Sequence, residues 1–152
     1  MQTRQSDFIP NWDQDRYWAG YYTTDPELKI VCKRFSRLVN LVRKIMVKSL
    51  NVDRNIYTNF SLIVQKAEEL LSIMQHHDGI TATSKAHIEK LFKDRMTNSS
   101  RDLIEIIKRV DSVQAVEECR LFENHNTCNI TKKEAKITLS ILHEGVAKKE
   151  RI

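Results

Sequence analysis

The stretch TDPELKIVCKRFSRLVNLVRKIM, residues 24–46, decides the fold. Leu28, Val31, Cys32, Phe35, Leu38, Val39, Val42, Ile45 and Met46 recur at spacings of three and four, while Lys29, Lys33, Arg37, Lys44 and Lys48 lie mostly off that stripe. Such a period places the apolar side chains on one face of a helix, and that face must be buried against partners. Thr24-Asp25-Pro26-Glu27 reads as a capping box with Pro in the first turn, which fixes where the helix begins.

Working outward, Asn51 to Asn55 is a polar break, after which Phe60, Ile63, Val64, Ala67, Leu70, Leu71 and Met74 repeat the pattern. This second helix is expected to end in the histidines of Gln75-His76-His77-Asp78-Gly79. Thr83 or Ser84 can cap a third helix carrying Ile88, Leu91, Phe92 and Met96. Asn98 or Ser99 can cap a fourth carrying Leu103, Ile104, Ile107, Val110 and Val113. Beyond Glu118 the period becomes two, with Ile137, Leu139 and Ile141 alternating with Lys136, Thr138 and Ser140, as in a half-buried strand. Residues 1–25 gather Phe8, Trp12, Tyr17, Trp18, Tyr21 and Tyr22 without helical period. The expectation is a mainly α chain: an antiparallel helical bundle over 26–50, 57–76, 84–96 and 99–117, resembling a three-helix-bundle domain. An irregular aromatic segment precedes it, and the start of a β-strand at 136–142 follows.

Composition agrees and excludes several classes. Of 152 residues 41% are hydrophobic, enough for one core, and only three are Gly and two Pro. So few turn formers argue against an all-β sandwich, and the isolated glycines cannot form a dinucleotide or phosphate-binding loop. The net charge of +5 comes from basic residues mixed with acids along the chain, with no aromatic-interleaved basic motif, so no nucleic-acid partner is expected. No apolar run is long enough to span a membrane, and the first twenty residues hold no signal-peptide core.

His76-His77-Asp78 is the one constellation with chemical content, since imidazole and carboxylate both ligate divalent metals. At successive helical positions their side chains fan out by about 100° each, so no more than one or two of the three can share an ion and the remaining ligands must come from elsewhere. A histidine pair bonded to helix-end carbonyls is the plain alternative, and Asp78 to Ser84 equally reads as a loop leading into the next cap. Trp12, Tyr17, Trp18, Tyr21 and Tyr22 suit either a sugar-stacking platform or a small core anchoring the segment to the bundle. Cys119 and Cys128 are close enough in sequence for a disulfide or can remain thiols, and Cys32 is left over. Asn59-Phe-Ser61, Asn98-Ser-Ser100 and Asn129-Ile-Thr131 are glycosylation candidates, where ordinary composition would supply about one such triplet.

Two segments resemble the α-mannosidases of glycoside hydrolase family 38. Asp7-Phe8-Ile9-Pro10, with Tyr17-Trp18-Ala19-Gly20-Tyr21-Tyr22-Thr23-Thr24-Asp25-Pro26 and Leu28-Lys29, is similar to the family's D-F-F-P, Y-W-T-G-Y-[YF]-T-S-R-P and L-K. Gln75-His76-His77-Asp78-Gly79-Ile80-Thr81-Ala82-Thr83-Ser84-Lys85 is similar to its Q-H-H-D-A-[IV]-T-G-T-[SA]-K. Cys119 to Cys128 resembles the cysteine-bracketed segment through which lysosomal members enter their β domains.

The resemblance implies zinc-dependent, retaining hydrolysis of terminal α-mannose in N-glycans. His77 would be a zinc ligand, Asp78 would hydrogen-bond hydroxyls of the bound mannose, and His76 would support them. It implies a secretory-pathway protein, most often lysosomal, in which residues 1–25 end a catalytic barrel, 26–118 form the central helical domain, and 119–152 link to the first strand of a β-sandwich. The family's nucleophile, acid/base and remaining zinc ligands precede the first motif, so no catalytic residue is expected in this chain. One zinc ion would be shared with ligands in the rest of an α-mannosidase, and alone the chain should be inactive and bind zinc weakly. Asp25 stands where the family has Arg, which leaves the charge pairing of that turn open, and Ala82 stands for a usual Gly, which is expected to strain the loop. A free-standing helical interaction module without catalysis is the alternative.

Overall fold

Asp25 starts the bundle. Its Oδ1 accepts the Leu28 backbone N–H at 3.0 Å and its carbonyl accepts the first helical bond, from Lys29. The cap is therefore Asp25 rather than Thr24, whose hydroxyl turns back to the Gly20 carbonyl at 2.7 Å. With Asp25 as cap, Pro26 falls at the first helical position, where its missing N–H costs no bond. Asp25 has φ +42°, a left-handed backbone that Asp tolerates better than most residues.

The computed structural model describes residues 10–13, 16–48 and 54–111. Two short antiparallel strands, β1 (Asn11–Asp13) and β2 (Arg16–Trp18), lead through a 3-10 turn at Gly20–Tyr22 into α1 (Pro26–Lys48). Then come α2 (Arg54–Met74) and α3 (Ala86–Asp111). The three helices pack on one another, and the start of α3 lies beside the start of α1, so α2 runs back between them as expected of an antiparallel bundle.

The α1 stripe is the core. Leu28, Val31, Cys32, Phe35, Val39, Val42, Ile45 and Met46 are buried, and Leu38 is partly so. They meet Phe60, Val64, Ala67 and Met74 of α2 and Met96, Leu103, Ile106 and Ile107 of α3. Each large side chain so buried stabilises the fold by about 1.5–3 kcal/mol relative to exposure.

The expected third and fourth helices are one. Thr97-Asn98-Ser99-Ser100 does not cap a new helix: Thr97 Oγ1 donates to the Lys93 carbonyl at 2.9 Å and Ser100 Oγ to the Met96 carbonyl at 2.7 Å. By bonding four residues back, the hydroxyls satisfy themselves within the helix, so Ser100 can be buried in the bundle. Thr83 and Ser84 do not cap α3 either, since its first carbonyl acceptor is Lys85. The expected strand at 136–142 and Val113 lie outside the described residues.

Among the described residues, the aromatic N-terminal segment forms a two-stranded antiparallel sheet rather than an irregular stretch, and Trp12, Tyr17 and Trp18 do not bury as an anchoring core. Trp12 is 70%, Tyr17 72% and Trp18 57% exposed. Trp12 and Tyr17 are directly paired across β1 and β2 and therefore share a face, while Tyr21 and Tyr22 stack at 4.6 Å between ring centroids.

Candidate functional site

Met74 is the last residue of α2, so His76, His77 and Asp78 belong to the turns that follow it rather than to the helix. The fanning expected of consecutive helical positions therefore does not apply, and the three side chains converge. Asp78 Oδ2 lies 3.6 Å from His76 Nε2 and 3.7 Å from His77 Nε2, and the ring centroids are 4.0 Å apart. One ligating atom from each residue falls within 4.8 Å of the others. Two imidazole nitrogens and a carboxylate oxygen are a donor set that suits zinc, so these residues fit the metal implied by the resemblance. All three are exposed, His77 most of all, and face outward from one end of the bundle.

The turn is held by its own hydroxyls. Thr83 Oγ1 donates to Asp78 Oδ1 at 3.0 Å, Thr81 and Thr83 hydroxyls are 3.0 Å apart, and Ser84 Oγ donates to the Asp78 carbonyl at 2.6 Å. Thr81 Oγ1 also donates to the His77 carbonyl. With Oδ1 engaged by Thr83, Oδ2 is left to the imidazoles. The spacing of Thr83 and Ser84 before an apolar run predicts helix caps, and nothing in their order signals that they bond backwards to Asp78.

Two small residues complete the turn. Gly79 donates to the His76 carbonyl at 2.9 Å and sits so close to α2 that an added Cβ would lie 2.9 Å from the Met74 carbonyl oxygen. Ala82 takes φ +56°, the left-handed region where a Cβ meets the following carbonyl. The strain expected from Ala in place of Gly is thus present in the backbone.

At the same end, Lys93 of α3 joins Asp25 Oδ2 at 3.0 Å and Glu27 Oε2 at 2.7 Å. Burial works to raise the Asp25 carboxyl, but the Leu28 N–H and the Lys93 ammonium outweigh it and hold the group below the usual carboxylate range. Burial likewise works against the charged Lys93, yet Glu27 and Asp25 hold it above the ordinary lysine value. The charge of Asp25, left without an assigned partner by the sequence, is paired with Lys93.

Residues 16–113 match the family described as the α-mannosidase middle domain, a span that includes the whole His76–Lys85 turn and all three helices. The chain belongs to the α-mannosidase middle-domain family. Similar proteins include α-mannosidase F of Dictyostelium discoideum, 36% identical over 92 residues that make up 60% of this chain and 9% of that protein. α-Mannosidase 2 of Drosophila melanogaster is 35% identical over 96 residues, 62% of this chain and 8% of the relative. Lysosomal α-mannosidase of Dictyostelium discoideum is 25% identical over 113 residues, 72% of this chain and 11% of the relative. The chain thus spans about a tenth of the length of these relatives. No solved structure matches.

Within this middle domain the remaining candidates are dispersed. Asn59 and Asn98 are exposed on α2 and α3, and Asn98 Oδ1 accepts from Arg101 at 3.3 Å. Cys32 is a buried free thiol whose ionisation burial pushes up, so it is a core residue rather than a reactive one. Cys119, Cys128 and Asn129 lie outside the described residues, as do Asp7, Phe8 and Ile9. No helix among the described residues is long and apolar enough to cross a membrane.

Proposed function

We propose that the chain is the central helical domain of a zinc-dependent, retaining α-mannosidase that removes terminal α-mannose from N-glycans in the secretory pathway, in the lysosome. In this reading residues 1–25 end the catalytic barrel, 26–118 are the central domain, and 119–152 lead into a β-sandwich. The observation that carries it is the His76–His77–Asp78 turn, placed at one end of the bundle with its donors turned outward, inside a span that matches the middle-domain family.

The bundle supplies position. The packing of α1, α2 and α3 sets where α2 stops, and the Thr81, Thr83 and Ser84 hydroxyls fix the turn beyond it. His77 would present Nε2 to a zinc ion whose other ligands come from the rest of the polypeptide, with His76 supporting it. A zinc ion bound there would supply Lewis-acid stabilisation of charge as the glycosidic bond breaks. Asp78, already held at Oδ1 by Thr83, would accept hydrogen bonds from mannose hydroxyls and so orient the ring.

A nucleophile and an acid/base are needed to break the glycosidic bond by retention, and this reading places both outside the chain. The test is an assay of the purified 152-residue chain with zinc and a chromogenic α-mannoside. No turnover is expected. Turnover that disappears in Asp78→Asn would show that the catalytic carboxylates are in this chain and would overturn the reading.

A further inference from the structure

We propose that the outward face of α1 docks on a membrane surface rich in anionic phospholipid. Bases and acids are mixed over most of the chain, but α1 is an exception: its 23 residues carry seven Lys and Arg and a single acid, Glu27. This contact does not depend on the hydrolase reading, which leaves that face of the bundle unused.

The helix period sorts the charges. Leu28, Val31, Phe35, Val39, Val42 and Met46 take the core side of α1. On the opposite side Ile30, Lys33, Arg37, Asn40, Lys44 and Val47 follow at steps of three and four, and all six are exposed. They fall within a sector of about 100° and, at about 1.5 Å per residue, form a straight stripe roughly 25 Å long. Glu27 lies off this stripe and is taken up by Lys93 of α3 at 2.7 Å. Glu68 of α2 is taken up by Arg43, beside the stripe, at 3.1 Å. No carboxylate among the described residues pairs with Lys33 or Arg37, so the positive charge at the centre of the stripe is not neutralised within the bundle.

The ends of the stripe select the kind of anion. Ile30 and Val47, 50% and 64% exposed, stand at its two ends on the same face as the bases. A sulfated polysaccharide or a nucleic acid would match the charges but offers no hydrocarbon to receive these side chains. An anionic bilayer offers both, with phosphates facing the middle of the stripe and hydrocarbon below the headgroups at either end. Because the apolar face of α1 is committed to the core, the helix lies on the surface as part of the bundle and does not insert. Each base near an anionic bilayer is worth about fivefold in affinity, and that attraction fades beyond a Debye length of about 8 Å at physiological salt, so the contact is reversible and salt-sensitive.

The test is co-sedimentation of the intact 152-residue chain with vesicles of equal parts phosphatidylserine and phosphatidylcholine, against vesicles of phosphatidylcholine alone. Binding to the first, little to the second, and loss on raising the salt are expected. The double variant Lys33→Gln/Arg37→Gln should bind about 25-fold more weakly. Lys90→Gln/Arg101→Gln removes the same charge from exposed positions of α3, behind α1, and should stay within about twofold of the parent. Ile30→Ser/Val47→Ser should weaken vesicle binding at least about fivefold and leave binding to heparin unchanged. Circular dichroism should show the same helix content in every variant. Equal binding to both vesicles, or an α3 double variant as weak as the α1 one, would reduce the effect to net charge and overturn the proposal. So would full binding by Ile30→Ser/Val47→Ser, or heparin binding without vesicle binding, since either would leave a surface that reads charge and no lipid.

Discussion

Lys93 Nζ lies 3.0 Å from Asp25 Oδ2, tying the second turn of α3 to the cap of α1. Asp25 thereby does two jobs, satisfying the Leu28 amide and neutralising a lysine that is only 21% exposed. Asp25→Ala is expected to destabilise the chain by about 1–2 kcal/mol, the sum of a lost cap and a weakened partly buried ion pair. Urea unfolding at neutral pH checks it.

The same pair fixes a pH dependence. The Asp25 carboxyl is lowered in the folded chain, so its contribution is complete above the ordinary carboxylate range near pH 4 and is lost as pH falls through the lowered value. Lys93 is raised, so its contribution is complete below the ordinary lysine range near pH 10 and is lost as pH rises through the raised value. Between these limits the pair adds a constant amount. Relative to the parent, Asp25→Ala should show a shallower loss of stability on the acid side, measured by urea midpoints across that range.

Ser99→Pro separates one long α3 from two helices. At the first position of a helix capped by Asn98, proline would be well tolerated. Inside the continuous helix it removes a backbone bond and clashes with the preceding turn, costing about 3 kcal/mol or more. A clear loss in thermal stability is expected; an unchanged midpoint would restore the two-helix reading.

Ala82→Gly should stabilise the turn by about 0.5–1 kcal/mol, because relief of the left-handed Cβ conflict outweighs the extra freedom that glycine gives the unfolded chain. Gly79→Ala should act in the opposite sense, since its Cβ would be forced against the Met74 carbonyl oxygen. Comparing the two variants by denaturant unfolding tests whether the turn's shape depends on which of the two positions carries the side chain.

How far the sequence could be read follows from these particulars. The α1 stripe was legible because burial of Leu28 through Met46 depends on period alone, and period is local. The division of α3 was misread because Thr97 to Ser100 has the composition of a cap, and only tertiary burial of Met96 and Leu103 on either side keeps the run helical. The donors at 76–78 were found by residue type, but their convergence depended on α2 ending at Met74, a boundary that the polar Gln75-His76-His77 run does not mark. Lys93 was not picked out at all, because a pair separated by more than sixty positions leaves no spacing to notice.

The proposed function requires that this turn work inside an α-mannosidase. The direct measurement is on a chimera in which residues 16–113 replace the matching segment of α-mannosidase F, assayed together for bound zinc and for hydrolysis of an α-mannoside. A chimera that holds zinc and turns over, and that loses both on His77→Ala, is the expected result. A folded chimera that keeps its zinc and its activity after His77→Ala would contradict the account.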